Sequence, residues 1–97
     1  MNPEIKARLH LWIDGHVQGV GFRAFVLDRA QRRQLTGWVR NTYQGQVEVL
    51  AEGSRDQLDG FLDEVRRGPR SAFVTECKVE WENATGEFSR FEVRPTA

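Results

Sequence analysis

Leu9-His10-Leu11-Trp12-Ile13-Asp14-Gly15-His16-Val17-Gln18-Gly19-Val20-Gly21-Phe22-Arg23 runs from an alternating segment, through three glycines, into a second periodicity. Leu9, Leu11 and Ile13 alternate with His10 and Trp12, the period of two of a strand with one buried face. From Phe22 to Arg33, Phe22, Phe25, Val26, Leu27 and Ala30 recur at helical spacing, and Asp28, Arg29, Arg32 and Arg33 are left for the wet side. The stretch therefore reads as strand, glycine-rich turn, amphipathic helix.

Working outward, Thr36 to Thr42 and Gln46 to Glu52 are extended segments joined through Tyr43-Gln44-Gly45, a short connection that closes an antiparallel hairpin. Ser54-Arg55-Asp56-Gln57 is a capping-box pattern, and Leu58, Phe61, Leu62 and Val65 follow at helical spacing until Gly68-Pro69 stops the helix. Thr75 to Glu82 alternates Cys77, Val79 and Trp81 against Lys78, Glu80 and Glu82, and Phe91 and Val93 make a short fifth strand candidate. Two strand-helix-strand units in one small chain predict an α+β fold of the ferredoxin-like split βαβ (βαββαβ) type: an antiparallel sheet with both helices on one face, in one domain spanning 1–97.

The glycine-rich turn carries the chemistry. Gly15, Gly19 and Gly21 permit positive φ and close approach of a ligand to the backbone. Unpaired amides and the positive end of the helix dipole favour an anion there, and phosphate is the natural guest. Arg23, in the first helical turn, can grip two phosphate oxygens with its forked guanidinium. Gly19-Val20-Gly21-Phe22-Arg23-Ala24 fits the dinucleotide pattern G-x-G-x-x-G/A, but that pattern needs an acidic residue about 20 positions later. No Asp or Glu lies between Asp28 and Glu48. A nucleotide P-loop is excluded because no Lys-Ser or Lys-Thr follows the glycines; the only lysines are Lys6 and Lys78.

Phosphoryl cleavage needs a water held in line with the leaving group. Asn41, in Gly37-Trp38-Val39-Arg40-Asn41-Thr42, can accept from a water and donate to a phosphate oxygen, where a carboxylate would repel the dianion. A turn-forming asparagine at a hairpin entry is the plainer reading of the same residue. His10 and His16 are the only histidines, and no spacing of His, Cys, Asp or Glu forms a metal-ligand pattern. No serine sits in a nucleophile elbow, and Cys77 occupies the buried phase of its strand. Trp12, Trp38 and Trp81 read as sheet-packing residues.

Composition narrows the rest. The chain has 97 residues, 39% hydrophobic and 29% charged, enough apolar content for one modest core. Fourteen basic and fourteen acidic residues leave no excess cation for non-specific nucleic-acid binding. The single cysteine forbids an intramolecular disulfide and fits a reducing, cytoplasmic setting. Met1 to Lys6 lacks the apolar run of a signal peptide, and no stretch is long enough to span a membrane.

Gly15-His16-Val17-Gln18-Gly19-Val20-Gly21-Phe22-Arg23 and Gly37-Trp38-Val39-Arg40-Asn41, with Gly45, Val47 and Gly53 at their spacings, resemble the two signatures of the acylphosphatase family. The resemblance covers essentially the whole chain. It implies hydrolysis of the carboxyl-phosphate anhydride bond of acyl phosphates, without metal or cofactor, by a single βαββαβ domain. By similarity, Arg23 binds the phosphate, the loop residues Gly15, His16, Val17, Gln18, Gly19, Val20 and Gly21 form an amide cradle, and Asn41 positions the attacking water. The family's substrate phosphate is thought to help take the water's proton, so no general base is expected. The implied partner is a small-molecule acyl phosphate met by a cytoplasmic monomer, with no nucleic acid and no membrane. Two rival classes share the fold. One is an RNA-binding module stacking bases on Trp12 and Trp38, although the K/R-G-F/Y-G/A-F-V-x-F/Y signature is absent. The other is a phospho-ligand sensor that binds without turnover.

Overall fold

The computed structural model describes residues 5–97; the expectation about a signal peptide falls largely on Met1 to Glu4, outside the described residues. The elements are β1 (Lys6–His16), α1 (Phe22–Arg32), β2 (Thr36–Asn41), β3 (Val47–Ser54), α2 (Arg55–Arg67), β4 (Phe73–Glu82) and β5 (Phe91–Val93). The sheet order is β4-β1-β3-β2-β5. β1 runs antiparallel to β3 and β4, and β2 antiparallel to β3, so β1 and β2 are the parallel halves of a split βαβ unit with β3 between them.

Alternation decides which face is covered. Ala7, Leu9, Leu11 and Ile13 of β1, Val47, Val49 and Ala51 of β3 and Val39 of β2 point toward the helices and are buried. They meet Phe22, Val26 and Ala30 of α1 and Leu58, Phe61, Leu62 and Val65 of α2 in one core. Each fully buried aliphatic or phenyl side chain contributes about 1.5–3 kcal/mol, which fixes the register, because a slip of one residue would expose the whole set. The predicted ferredoxin-like α+β architecture, with two helices on one sheet face, is what forms.

Three expectations need correction. The sheet is mixed: β5 pairs parallel with β2 through Gly37–Phe91, Trp38–Glu92 and Val39–Val93. The chain after β5 continues along β2, with Arg94 N donating to Val39 O at 2.9 Å and Ala97 N to Asn41 O at 3.2 Å. Second, β1 extends beyond Ile13 to His16, because β4 accompanies it past an irregularity at Asp14/Gly15 and pairs Gly15 with Val74 and His16 with Phe73. A Cβ on Gly15 would stand 2.0 Å from Phe73 O, so this glycine serves strand packing. Third, only half of the capping box closes. Ser54 Oγ accepts from Gln57 N at 3.3 Å, but the Gln57 side chain does not return to the cap and instead accepts from Arg33 Nη1 at 3.0 Å.

Candidate active site

With Gly15 and His16 drawn into β1, the turn proper is Val17 to Gly21. It is fixed from several sides. The Val17 side chain is buried in the core. Gln18 Nε2 donates to Thr42 O at 2.9 Å and to Gln46 O at 2.8 Å, tying the turn to the β2–β3 hairpin. Gln46 Nε2 in turn donates to Asp14 Oδ2 at 3.0 Å, and Ser71 Oγ donates to Val20 O at 2.7 Å. A turn held this way keeps its backbone direction without a ligand.

That backbone is open where an anion would sit. Gly21 caps α1 in the left-handed conformation, φ 79° and ψ 15°, with no side-chain cap and no acidic residue in the first turn. The other helix shows the contrast: α2 has its Ser54 cap and Asp56 in its first turn. Gly19, φ 75°, shares the left-handed geometry, and a Cβ on Gly19 or Gly21 would meet nothing within 4 Å. These two glycines are required by φ, and the space beside them is free for a ligand. Among the described residues the amides of Val17 to Ala24 find no protein acceptor. Orphan amides on the positive end of a helix dipole make an anion site.

Arg23 lies in the first turn of α1, half-buried, and lines a groove with Gly21, Ala24, Leu27 and Val93. Among the described residues it has no ion pair or side-chain hydrogen bond, whereas Arg8, Arg29, Arg32, Arg33, Arg40, Arg55 and Arg94 are all paired with carboxylates.

Asn41 is the last residue of β2. It and Ile13 of β1 both stand opposite Val47 of β3, so it lies in the row of the sheet where β1 approaches the turn. It is two residues from buried Val39, on the helix-facing side. Its main chain is clamped by the tail, with Ala97 N donating to Asn41 O and Tyr43 N donating to Ala97 O at 3.1 Å. Its Oδ1 is buried without a hydrogen-bond partner, a condition that costs about 1–3 kcal/mol and is rare in native proteins unless water or ligand supplies the donor. His16 is exposed at the end of β1.

Nucleophilic chemistry finds no support elsewhere. Burial pushes the Cys77 thiol up, against partial opposition from Arg66, so it is protonated at neutral pH. The residues that sequence reasoning missed are the supports: Thr42 and Gln46, whose carbonyls hold Gln18, and the tail along β2. Their hold on Gln18 and on β2 runs through main-chain groups, which leave no residue-type signature. On its other face the sheet gathers His10, Glu80 and Glu82, with one ligand atom of each within 4.8 Å of the others, a juxtaposition that no sequence spacing reveals.

The fold and site define a split βαβ α+β domain whose first strand-to-helix turn presents free amides, a helix N-terminus with no side-chain cap and an arginine without a carboxylate partner. The acylphosphatase family model matches residues 9–93. An acylphosphatase of Moorella thermoacetica is 51% identical over 87 residues, covering 90% of this chain and 92% of that protein. The crystal structure of acylphosphatase from Bacillus subtilis superposes with a TM-score of 0.88 at 39% identity, covering 91% and 98% of the two chains. An acylphosphatase structure from Coxiella burnetii gives 0.87 at 36% identity, covering 97% and 100%. The chain belongs to the acylphosphatase family.

Proposed function

We propose that Arg23 and the Val17–Gly21 amides hold the phosphoryl group of an acyl phosphate while Asn41 holds the water that attacks it. The protein is an acylphosphatase, hydrolysing the carboxyl-phosphate anhydride bond. In that reaction the water oxygen bonds to phosphorus, the bond from phosphorus to the acyl oxygen breaks, and the carboxylate leaves with the electron pair. The water's proton passes to a phosphate oxygen, and no protein base is needed. Carboxylate is a good leaving group, so positioning and charge stabilisation carry the rate.

The observation that carries the reading is the uncapped, acid-free N-terminus of α1 with unpaired Arg23 in its first turn. It supplies donors for the equatorial oxygens of the transferring group. Asn41 Oδ1, buried without a donor, supplies an acceptor that a water can satisfy. The cradle grips phosphate and leaves the acyl chain outside, which suits small soluble acyl phosphates. The enzyme works in the cytoplasm as a single-domain monomer, without nucleic acid. No helix among the described residues is long and apolar enough to cross a membrane.

The RNA-binding alternative is disfavoured by the open face of the sheet. Glu48 and Glu52 are buried there, and Trp38 is covered by the guanidinium groups of Arg40 and Arg94 at 4.5 and 5.5 Å. A base has no free ring of Trp38 to stack on. The test is hydrolysis of benzoyl phosphate in the presence of EDTA. Wild type is expected to turn over and Arg23→Ala to lose about three powers of ten or more in kcat/KM, some 4 kcal/mol. Folded wild type that binds phosphate without turnover would instead make the protein a phosphate sensor.

A further inference from the structure

The sheet face away from the helices carries a second cluster unrelated to phosphate. The antiparallel β1–β4 register sets His10 opposite Glu80 and Arg8 opposite Glu82. One ligand atom from each of His10, Glu80 and Glu82 lies within 4.8 Å of the others. Because the histidine and the two glutamates come from opposite ends of the chain, no local spacing reveals them.

The imidazole is already oriented. Its Nε2 lies 2.7 Å from Glu48 Oε2, and Glu48 is itself held by Arg40 Nε at 2.9 Å. A carboxylate at Nε2 favours the tautomer with its proton there, leaving the Nδ1 lone pair free on the side of Glu82, whose Oε2 is 3.9 Å away. Trp12 stacks on the ring at 3.8 Å between centroids, and Trp38 meets it edge-on at 6.2 Å. An outer carboxylate fixing one nitrogen, with the other turned toward further carboxylates, is how proteins orient metal-binding histidines. On this face Glu48 is held by Arg40, Glu52 and Glu87 by Arg8, and Glu80 lies near Lys78. Arg8 is committed to Glu52 and Glu87 and reaches Glu82 only at 3.9 Å, while Lys78 stands 3.6 Å from Glu80.

We propose that His10 Nδ1, Glu80 and Glu82 bind one borderline divalent transition-metal cation, such as Zn²⁺ or Ni²⁺, at the β1–β4 edge. One nitrogen and two carboxylate oxygens leave open positions for water, and the imidazole disfavours Mg²⁺ and Ca²⁺. Tetrahedral ligands at zinc distances stand about 3.4 Å apart. Exposed Glu80 and Glu82 close that gap by turning about their side-chain bonds. The site lies on the other side of the sheet from buried Val39 and the α1 N-terminus, so the ion is a staple between β1 and edge strand β4 and takes no part in hydrolysis. This inference stands independently of the acyl phosphate reading.

The test uses untagged full-length protein titrated with ZnCl₂ by calorimetry and with NiCl₂ by tryptophan fluorescence, since Trp12 lies against the ligand ring. One saturable equivalent is expected, with quenching by Ni²⁺ and no competition from equimolar Mg²⁺. Glu80→Gln should weaken Zn²⁺ binding by about 10-fold or more, and Glu48→Gln, acting through the imidazole, by about 10-fold. Among the described residues Glu80 is exposed and ion-paired only with Lys78, so near-UV circular dichroism should show Glu80→Gln folded. His16→Asn should leave binding intact. Absence of a one-to-one isotherm, undiminished affinity in Glu80→Gln, or loss in His16→Asn would each overturn the proposal.

Discussion

In the first turn of α1, Arg23 places a cation at the end of a helix whose field repels cations, with no carboxylate to offset it. Arg23→Ala should therefore raise stability by about 0.5 kcal/mol while abolishing turnover, a trade readable from paired melting curves and kinetics. Inorganic phosphate should raise the Tm of wild type and leave that of the variant almost unchanged. Arg23→Lys keeps the charge but loses the fork, and kcat/KM should fall between wild type and Arg23→Ala. At this scale the sequence was partly legible. Arg23 and the glycines advertise themselves by position before a helix. Asn41 reads from residue type alone as an ordinary hairpin asparagine, because its distinguishing property, a buried Oδ1 without a donor, arises only when β2 is laid beside β3 and the tail.

The elements position the site through a few ties. Gln18 joins the turn to the hairpin by two hydrogen bonds, so Gln18→Ala should lower kcat/KM by about 10-fold while the Tm changes little, as kinetics and calorimetry would show. Gly21→Ala should cost about 1–2 kcal/mol for the left-handed conformation and reduce activity further by placing a methyl group in the free space beside the cradle. An unimpaired Gly21→Ala enzyme would show that the cap conformation does not matter. Strand and helix identities were legible wherever the apolar period was clean, as in Leu9 to Ile13 and Leu58 to Val65. Three features were hidden. β5 is only three residues long, so its parallel pairing with β2 has no signature. The extension of β1 through Gly15 depends on β4 lying alongside. The second half of the capping box yields to Arg33, the residue at the C-terminal cap of α1.

Across the whole molecule, the two faces of the sheet do different work. The helix side holds the core and ends at the cradle, and the open side is an ion-pair network centred on buried Glu52. Burial alone would raise the Glu52 pKa, but the amides of Thr85 and Gly86, the Thr85 hydroxyl and Arg8 outweigh it and hold the carboxyl below its ordinary value. A lowered folded-state pKa stabilises the protein above the unfolded carboxylate pKa, and that contribution fades as pH falls through the folded value. Stability should therefore begin to fall as pH drops into the ordinary glutamate range and go on falling until it passes the lowered folded-state value. Glu52→Gln should lose about 2 kcal/mol at neutral pH and show a flatter acid limb in melting experiments.

The division of labour between cradle and water-holding amide is tested most directly by comparing Asn41→Ala with wild type for kcat on benzoyl phosphate and for competitive inhibition by inorganic phosphate. The account predicts that kcat falls by about 100-fold or more while the phosphate inhibition constant stays within about 2-fold, because Asn41 holds the water and the cradle holds the phosphoryl group. A kcat near wild type, or an inhibition constant that rises in step with the loss of rate, would contradict it.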